Sequence, residues 1–184
     1  MLEVITGGMF AGKTDELLRR LERHCIARRR VTLIKPDLDT RTTNVRTHNG
    51  REFASITVGR NDTATIEQLI RENDVIGFDE AEFFSEEVYK LLKVFEQSGT
   101  EKIFIACGLD MDSEGEPFGI MPQLMAIASD VLKLHAVCEN CFVPANISYS
   151  VVEKKGQILV GGKDKYKALC WKCATEERKK RTKT

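Results

Sequence analysis

The segment Gly7-Gly8-Met9-Phe10-Ala11-Gly12-Lys13-Thr14 fits the pattern G-x-x-x-x-G-K-[ST] and follows directly on the apolar run Leu2 to Thr6. In a phosphate-binding loop of this kind the glycines let successive backbone N–H groups turn inward around a β-phosphate. Lys13 then bridges the β- and γ-phosphates, and the Thr14 hydroxyl ligates Mg²⁺. The pattern means more than a glycine-rich turn only when it joins a strand to a helix. Here Leu17, Leu18, Leu21 and Cys25 recur at helical spacing straight after it. A strand, a loop and a helix that together hold a nucleoside triphosphate are therefore expected at this end of the chain.

The chain has 184 residues, which allows one full core and a small appendage but not two large lobes. Its 28 basic and 28 acidic side chains balance, so the bulk charge asks for neither a nucleic-acid nor a membrane partner. The run Arg178-Lys179-Lys180-Arg181 is the local exception and reads as a solvated, disordered basic tail over residues 177–184. No stretch approaches the roughly 20 apolar residues of a membrane span, and no basic segment precedes a long apolar one. A soluble, cytoplasmic protein is expected, and in that compartment metal binding or burial explains the six cysteines better than disulfides do.

Alternation of apolar runs with helical patterns gives the fold class. Strands are expected at Leu2–Thr6, Val31–Lys35, Val75–Phe78 and Lys102–Cys107. Helices are expected from the loop to about Arg28, over Thr63–Glu72, and after Ser85, which can cap a first turn holding Glu86 and Glu87 and a helix stopped by Gly99. Residues 36–50 read as a polar surface loop. Near-continuous apolar strands between helices indicate an α/β fold, a P-loop NTPase-type parallel sheet covered on both faces. The character changes at Val137, where short alternating strands, including Ile147–Val152 and Gln157–Val160, lie between two C-x₂-C pairs. The chain divides accordingly into a P-loop domain at 1–136, a zinc-ribbon unit at 137–176 and the tail.

Asp79 ends an apolar strand, where a P-loop protein needs a carboxylate near the Mg²⁺ of the bound triphosphate. Glu80, at the turn beyond, is placed to take a proton as a general base. The alternative for Asp79-Glu80-Ala81-Glu82 is a solvated acidic turn. Cys138, Cys141, Cys170 and Cys173 supply four thiolates, matching a closed and therefore structural tetrahedral Zn²⁺ site; redox-active or merely buried pairs are the alternative. Cys25 and Cys107 lie on apolar faces and read as core. His24, His48 and His135 are scattered and assemble into nothing. Arg41, on the polar loop, either neutralises charge on a transferred phosphoryl group or is simply solvated.

These residues together resemble the zinc-containing, cellular-type (type II) thymidine kinases, from about Leu2 to Cys173. The matching elements, in order, are Gly7–Thr14, Lys35-Pro36 with Asp39-Thr40-Arg41, Phe78-Asp79-Glu80-Ala81-Glu82-Phe83-Phe84, Gly108-Leu109-Asp110 with Pro117-Phe118-Gly119, both cysteine pairs, and Gly161-Gly162-Lys163-Asp164-Lys165-Tyr166. The resemblance implies transfer of the γ-phosphate of ATP to the 5′-hydroxyl of thymidine, with Glu80 as the base. Asp39, Thr40 and Arg41, and the segment Asp79 to Glu82, would flank ATP and Mg²⁺. A lasso braced by the zinc and lying between Cys141 and Cys170 would close the nucleoside pocket. Main-chain groups of Gln157, Ile158, Leu159, Val160 and Gly161 would hydrogen-bond the thymine, Tyr166 would contact the nucleoside, and Phe83, Met111 and Phe118 would give it apolar contacts. The resemblance also implies a homotetramer and feedback by thymidine triphosphate.

Two departures stand out. Glu82 takes the place of a glutamine, and Met111-Asp112-Ser113 occupies a stretch where the family tends to carry an aromatic. Two rival readings are weaker on the sequence. A P-loop switch GTPase needs a guanine-reading Asn-Lys-x-Asp, which is absent, and a nucleic-acid-binding ATPase built on the zinc ribbon is opposed by the zero net charge.

Overall fold

The computed structural model describes residues 1–38, 44–46, 52–152, 162 and 164–181. In chain order the first elements are β1 (Leu2–Gly7), α1 (Lys13–Ile26), β2 (Val31–Pro36), β3 (Asn44–Arg46), β4 (Glu52–Ala54), β5 (Ile56–Val58), α2 (Thr63–Glu72) and β6 (Val75–Phe78). A 3₁₀ turn (Ala81–Phe83) leads to α3 (Glu86–Gln97), β7 (Ile103–Gly108), α4 (Met121–Ile127) and β8 (Asp130–Leu134). The remainder is β9 (Ala136–Val137), β10 (Pro144–Ala145), β11 (Ile147–Ser150), β12 (Tyr166–Leu169) and α5 (Trp171–Arg181).

Six strands form one parallel sheet in the order β5-β2-β6-β7-β1-β8. Successive side chains of a strand point to opposite faces, and both faces here are apolar, which is what a parallel sheet covered twice requires. Ile5, Leu33, Val75, Ile103, Ile105 and Cys107 face Leu17, Leu18 and Leu21 of α1. Val4, Ile34, Ile76, Phe78, Phe104 and Ala106 face α2, α3 and α4 through Ile66, Ile70, Val88, Leu92, Met121 and Leu124. The loops leaving the C-terminal ends of β1, β6 and β7 thus converge on one rim of the sheet, the usual ligand rim of open α/β folds.

A second, smaller core packs Ala136, Cys138, Ala145, Ile147, Tyr149, Ala168, Leu169, Cys173 and Ala174 between the antiparallel pairs β9/β10 and β11/β12 and helix α5. Among the described residues no helix is long and apolar enough to cross a membrane.

Several expectations change. The first helix ends at Ile26, and its buried residues stop at Leu21, so Cys25 is exposed and is not a core residue. Ser85 occupies the N-cap position of α3 but makes no side-chain capping bond, whereas Asp62 caps α2 by accepting from the Thr65 N–H at 3.0 Å. The basic run that reads as a tail belongs, through Arg181, to α5, which Cys173 and Ala174 anchor in the small core. Strand β11 stops at Ser150, and the strand expected at Gln157–Val160 lies outside the described residues.

Candidate functional site

The phosphate-loop candidate joins β1 to α1 as its pattern requires. Gly12 sits at the N-cap of α1 with φ 83°, a left-handed conformation that glycine adopts without steric cost, so the helix can start directly on Lys13. The Lys13 ammonium donates to the Gly8 carbonyl at 2.8 Å, curling back over the loop. Asp15 and Glu16 fill the first helical turn, where acidic side chains suit the dipole.

At the same rim Asp79 leaves the end of β6. The Thr14 hydroxyl donates to Asp79 Oδ1 at 3.4 Å, which brings the loop and the strand-end carboxylate together across 65 residues of sequence. Asp79 is buried, and burial pushes its carboxyl up from the ordinary range against the pull of the Cys107 thiol, the Glu80 N–H, the Lys13 charge and Thr14. A threonine hydroxyl and a carboxylate are hard oxygen donors, a set that suits Mg²⁺ and not a softer metal. Cys107 is buried as expected, but it is also part of this environment.

Glu80 follows in the left-handed region, φ 52° and ψ 44°, and its carbonyl accepts from the Phe83 N–H at 3.1 Å, closing the 3₁₀ turn. A non-glycine residue in this conformation is uncommon and marks a position that its surroundings hold in place.

Glu82 turns inward. It is 5% exposed, its Oε2 has no hydrogen-bond partner, and a methyl group built on Gly108 would lie 2.5 Å from that oxygen. Burial, partly offset by the Lys13 ammonium and reinforced by the Glu80 carboxylate, pushes the Glu82 carboxyl up to about 8. At neutral pH the residue is therefore mostly the uncharged acid, which can donate a hydrogen bond as an amide does. Because the folded value lies above the ordinary 4.5, the stability tied to this proton is complete below pH 4.5 and is lost as pH rises through 8. Glu82→Gln is expected to melt higher than wild type by an amount that grows across that interval and levels off above it, reaching a few kcal/mol at a conversion of about 1.4 kcal/mol per pH unit. Thermal unfolding of both proteins across this range checks it; a pH-independent difference would contradict a buried neutral acid.

Of the acceptor-side candidates, Met111 and Phe118 lie on the loop between β7 and α4, Phe83 ends the 3₁₀ turn and Tyr166 begins β12. Phe83 and Phe118 meet edge to face with ring centroids 5.5 Å apart, while Phe84 is 2% exposed and packs on Phe78 in the core. Met111 pairs with Pro117 as an isolated bridge and packs on the small core. Tyr166 is buried on β12, and burial and the nearby Asp112 carboxylate raise its phenol. Asp39, Thr40, Arg41 and Gln157 to Gly161 lie outside the described residues.

Contacts that spacing does not announce hold this loop. Asp112 Oδ1 accepts from the Glu114 and Glu116 N–H groups at 2.8 and 3.0 Å. From α5, Arg178 donates to the Ser113 carbonyl at 2.8 Å, and Trp171 lies over Gly115, where an added methyl would meet its Cη2 at 2.5 Å. The buried Asp110 pairs with Lys133 of β8. Arg178 was hidden inside a basic run, and only its helical placement gives it a role.

The four thiols of Cys138, Cys141, Cys170 and Cys173 lie within 4.8 Å of one another, with Sγ separations of 3.6 Å for Cys141–Cys170 and 3.5 Å for Cys141–Cys173. A tetrahedron with Zn–S bonds of about 2.3 Å has edges of about 3.8 Å, so this cluster fits Zn²⁺.

Comparison with known proteins agrees with this arrangement. The family model described as "Thymidine kinase" matches residues 1–174. The chain is 42% identical to a thymidine kinase of Bacteroides thetaiotaomicron over 174 residues, covering 94% of this chain and 85% of that one. It is 43% identical to a thymidine kinase of Coprothermobacter proteolyticus over 177 residues, covering 92% and 87%. A thymidine kinase of Bacteroides fragilis is 41% identical over 174 residues, covering 94% and 85%. A parallel sheet with a phosphate loop and carboxylates at one rim, a four-cysteine knuckle beside them and a match over nearly the whole chain lead to one assignment: the chain belongs to the thymidine kinase family.

Proposed function

We propose that this chain transfers the γ-phosphate of ATP to the 5′-hydroxyl of thymidine, giving thymidine monophosphate and ADP. The observation that carries the site reading is the contact between Thr14 and Asp79, which joins the donor loop to the strand end from which Glu80 projects. Backbone N–H groups of Gly7 to Thr14 and the Lys13 ammonium bind the β- and γ-phosphates. Thr14 and Asp79 hold Mg²⁺, which neutralises charge between those phosphates when bound. Glu80 takes the proton of the 5′-hydroxyl as its oxygen bonds to the γ-phosphorus and the bond from that phosphorus to the β–γ bridging oxygen breaks. Phe83, Met111, Phe118 and Tyr166 line the acceptor side, with the main chain of Gln157 to Gly161 reading the base. Asp39 to Arg41 serve the phosphate region.

Cys138, Cys141, Cys170 and Cys173 hold a structural Zn²⁺ with no coordination position left for substrate. The same reading includes a cytoplasmic homotetramer inhibited by thymidine triphosphate, which the family resemblance supports. Transfer of labelled γ-phosphate from ATP to a panel of thymidine, deoxyuridine and deoxycytidine tests the central claim. Thymidine is expected to give the highest kcat/KM. ATP hydrolysis stimulated by single-stranded DNA and indifferent to thymidine would overturn the reading.

A further inference from the structure

We propose that Ser148 and Phe10 lock the phosphate loop onto the four-cysteine unit, making affinity for the donor nucleotide depend on that unit; this rests on the reading of ATP as donor. The Met9 N–H donates to Ser148 Oγ at 2.9 Å, a link between β11 and the loop spanning 139 residues. Ser148 is 3% exposed, so its hydroxyl faces the loop and not solvent. The loop and the unit touch through their backbones as well, since a methyl group built on Gly8 would lie 2.9 Å from the Asn146 carbonyl oxygen and 3.5 Å from Ser148 Oγ.

The next residue carries the second half of the lock. Phe10 has φ 65°, a conformation that an aromatic residue rarely adopts and that persists only where its surroundings over-determine it. Those surroundings are the small core. Phe10 and Ala11 pack against the cluster that contains Cys138, Ala145, Ile147, Tyr149 and Cys173. Two of the four metal-ligand candidates thus belong to the apolar cluster on which the tip of the phosphate loop rests.

Strand β11 is in turn paired to β12, Ile147 opposite Leu169, one residue before Cys170. Ser148 and the Phe10 side chain act by positioning: neither is a phosphate-binding group, but they fix the first turn of a loop whose backbone N–H groups are. Affinity for a ligand falls in proportion to the fraction of molecules holding the competent conformation, so loosening this turn weakens donor binding and leaves the acceptor side alone.

The test uses the full chain with zinc retained. Ser148→Ala removes the acceptor and leaves the partly buried Met9 N–H without it, which is expected to raise both the KM and the dissociation constant for ATP roughly tenfold. The KM for thymidine is expected to move less than about twofold, with zinc content equal to wild type. Ser148→Thr and Ser148→Val differ in the hydroxyl at nearly constant volume, so the same contrast is expected between them, with Thr on the wild-type side. This pair keeps the test open if Ser148→Ala does not fold. Equal ATP affinity in the Thr and Val variants would overturn the lock, as would parallel changes in both Michaelis constants. Failure of the wild-type chain to bind ATP would overturn the donor reading beneath it.

Discussion

Glu80→Gln is expected to lower kcat for phosphoryl transfer to thymidine by about 10²- to 10⁴-fold, the usual worth of a positioned general base. ATP affinity is expected to change by no more than about twofold, because the amide keeps the size of the carboxylate and the proposed donor contacts come from the loop and Lys13. The backbone at this position makes the experiment clean. Glu80 sits at φ 52° between Asp79 and the 3₁₀ turn, and glutamine meets the same left-handed geometry as glutamate, so lost turnover reports the proton acceptor and not a broken turn. Steady-state kinetics with titration of ATP binding provide the measurement. Full turnover in the variant would remove Glu80 from the role of base.

The second large effect is expected from the metal. The small core contains few large side chains, and two of its members are the metal-ligand candidates Cys138 and Cys173. A unit of this kind derives much of its folding energy from Zn²⁺. The wild-type chain is expected to contain about one zinc ion, and Cys173→Ser to lose it, with a fall in melting temperature on the order of 10 °C and at least a tenfold rise in the KM for thymidine. Elemental analysis, thermal unfolding and kinetics check the three parts. A zinc-free variant with wild-type melting and KM would show that the cysteines hold no structural metal.

Most of the sheet was legible because its strands carry near-continuous apolar runs and the phosphate loop fixes the phase of the first strand–helix unit. β2, β6 and β7 appear within a residue or two of where the runs place them. The elements that sequence reading missed are those with weak local signals. β5 is three residues long, and β8 at the opposite edge has the exposed pattern of Asp130 and Val131, because an edge strand is covered on fewer sides. Helix α4 begins with Pro122 in its first turn and spans seven residues, too few for a period to show.

The Cys₄ cluster was readable from spacing, and Asp79 and Glu80 from their place after β6. The packing of Phe10 on the second core was not, since it joins segments more than a hundred residues apart through no recognisable motif. Glu82 shows a different limit. The sequence marks it only as standing in place of a glutamine, and only its burial against Gly108 shows it as an inward-facing acid.

The strand order carries a consequence for how the chain is made. β1 lies between β7 and β8, with Leu2 opposite Phe104 and Glu3 opposite Asp130. On the ribosome the phosphate loop emerges long before either flanking strand, and Ser148 follows later still. Until then β1 is an apolar segment with both edges open, the kind of intermediate that invites chaperone capture or misassociation. The phosphate loop is thus synthesised before the strands that flank it and is finished only after them.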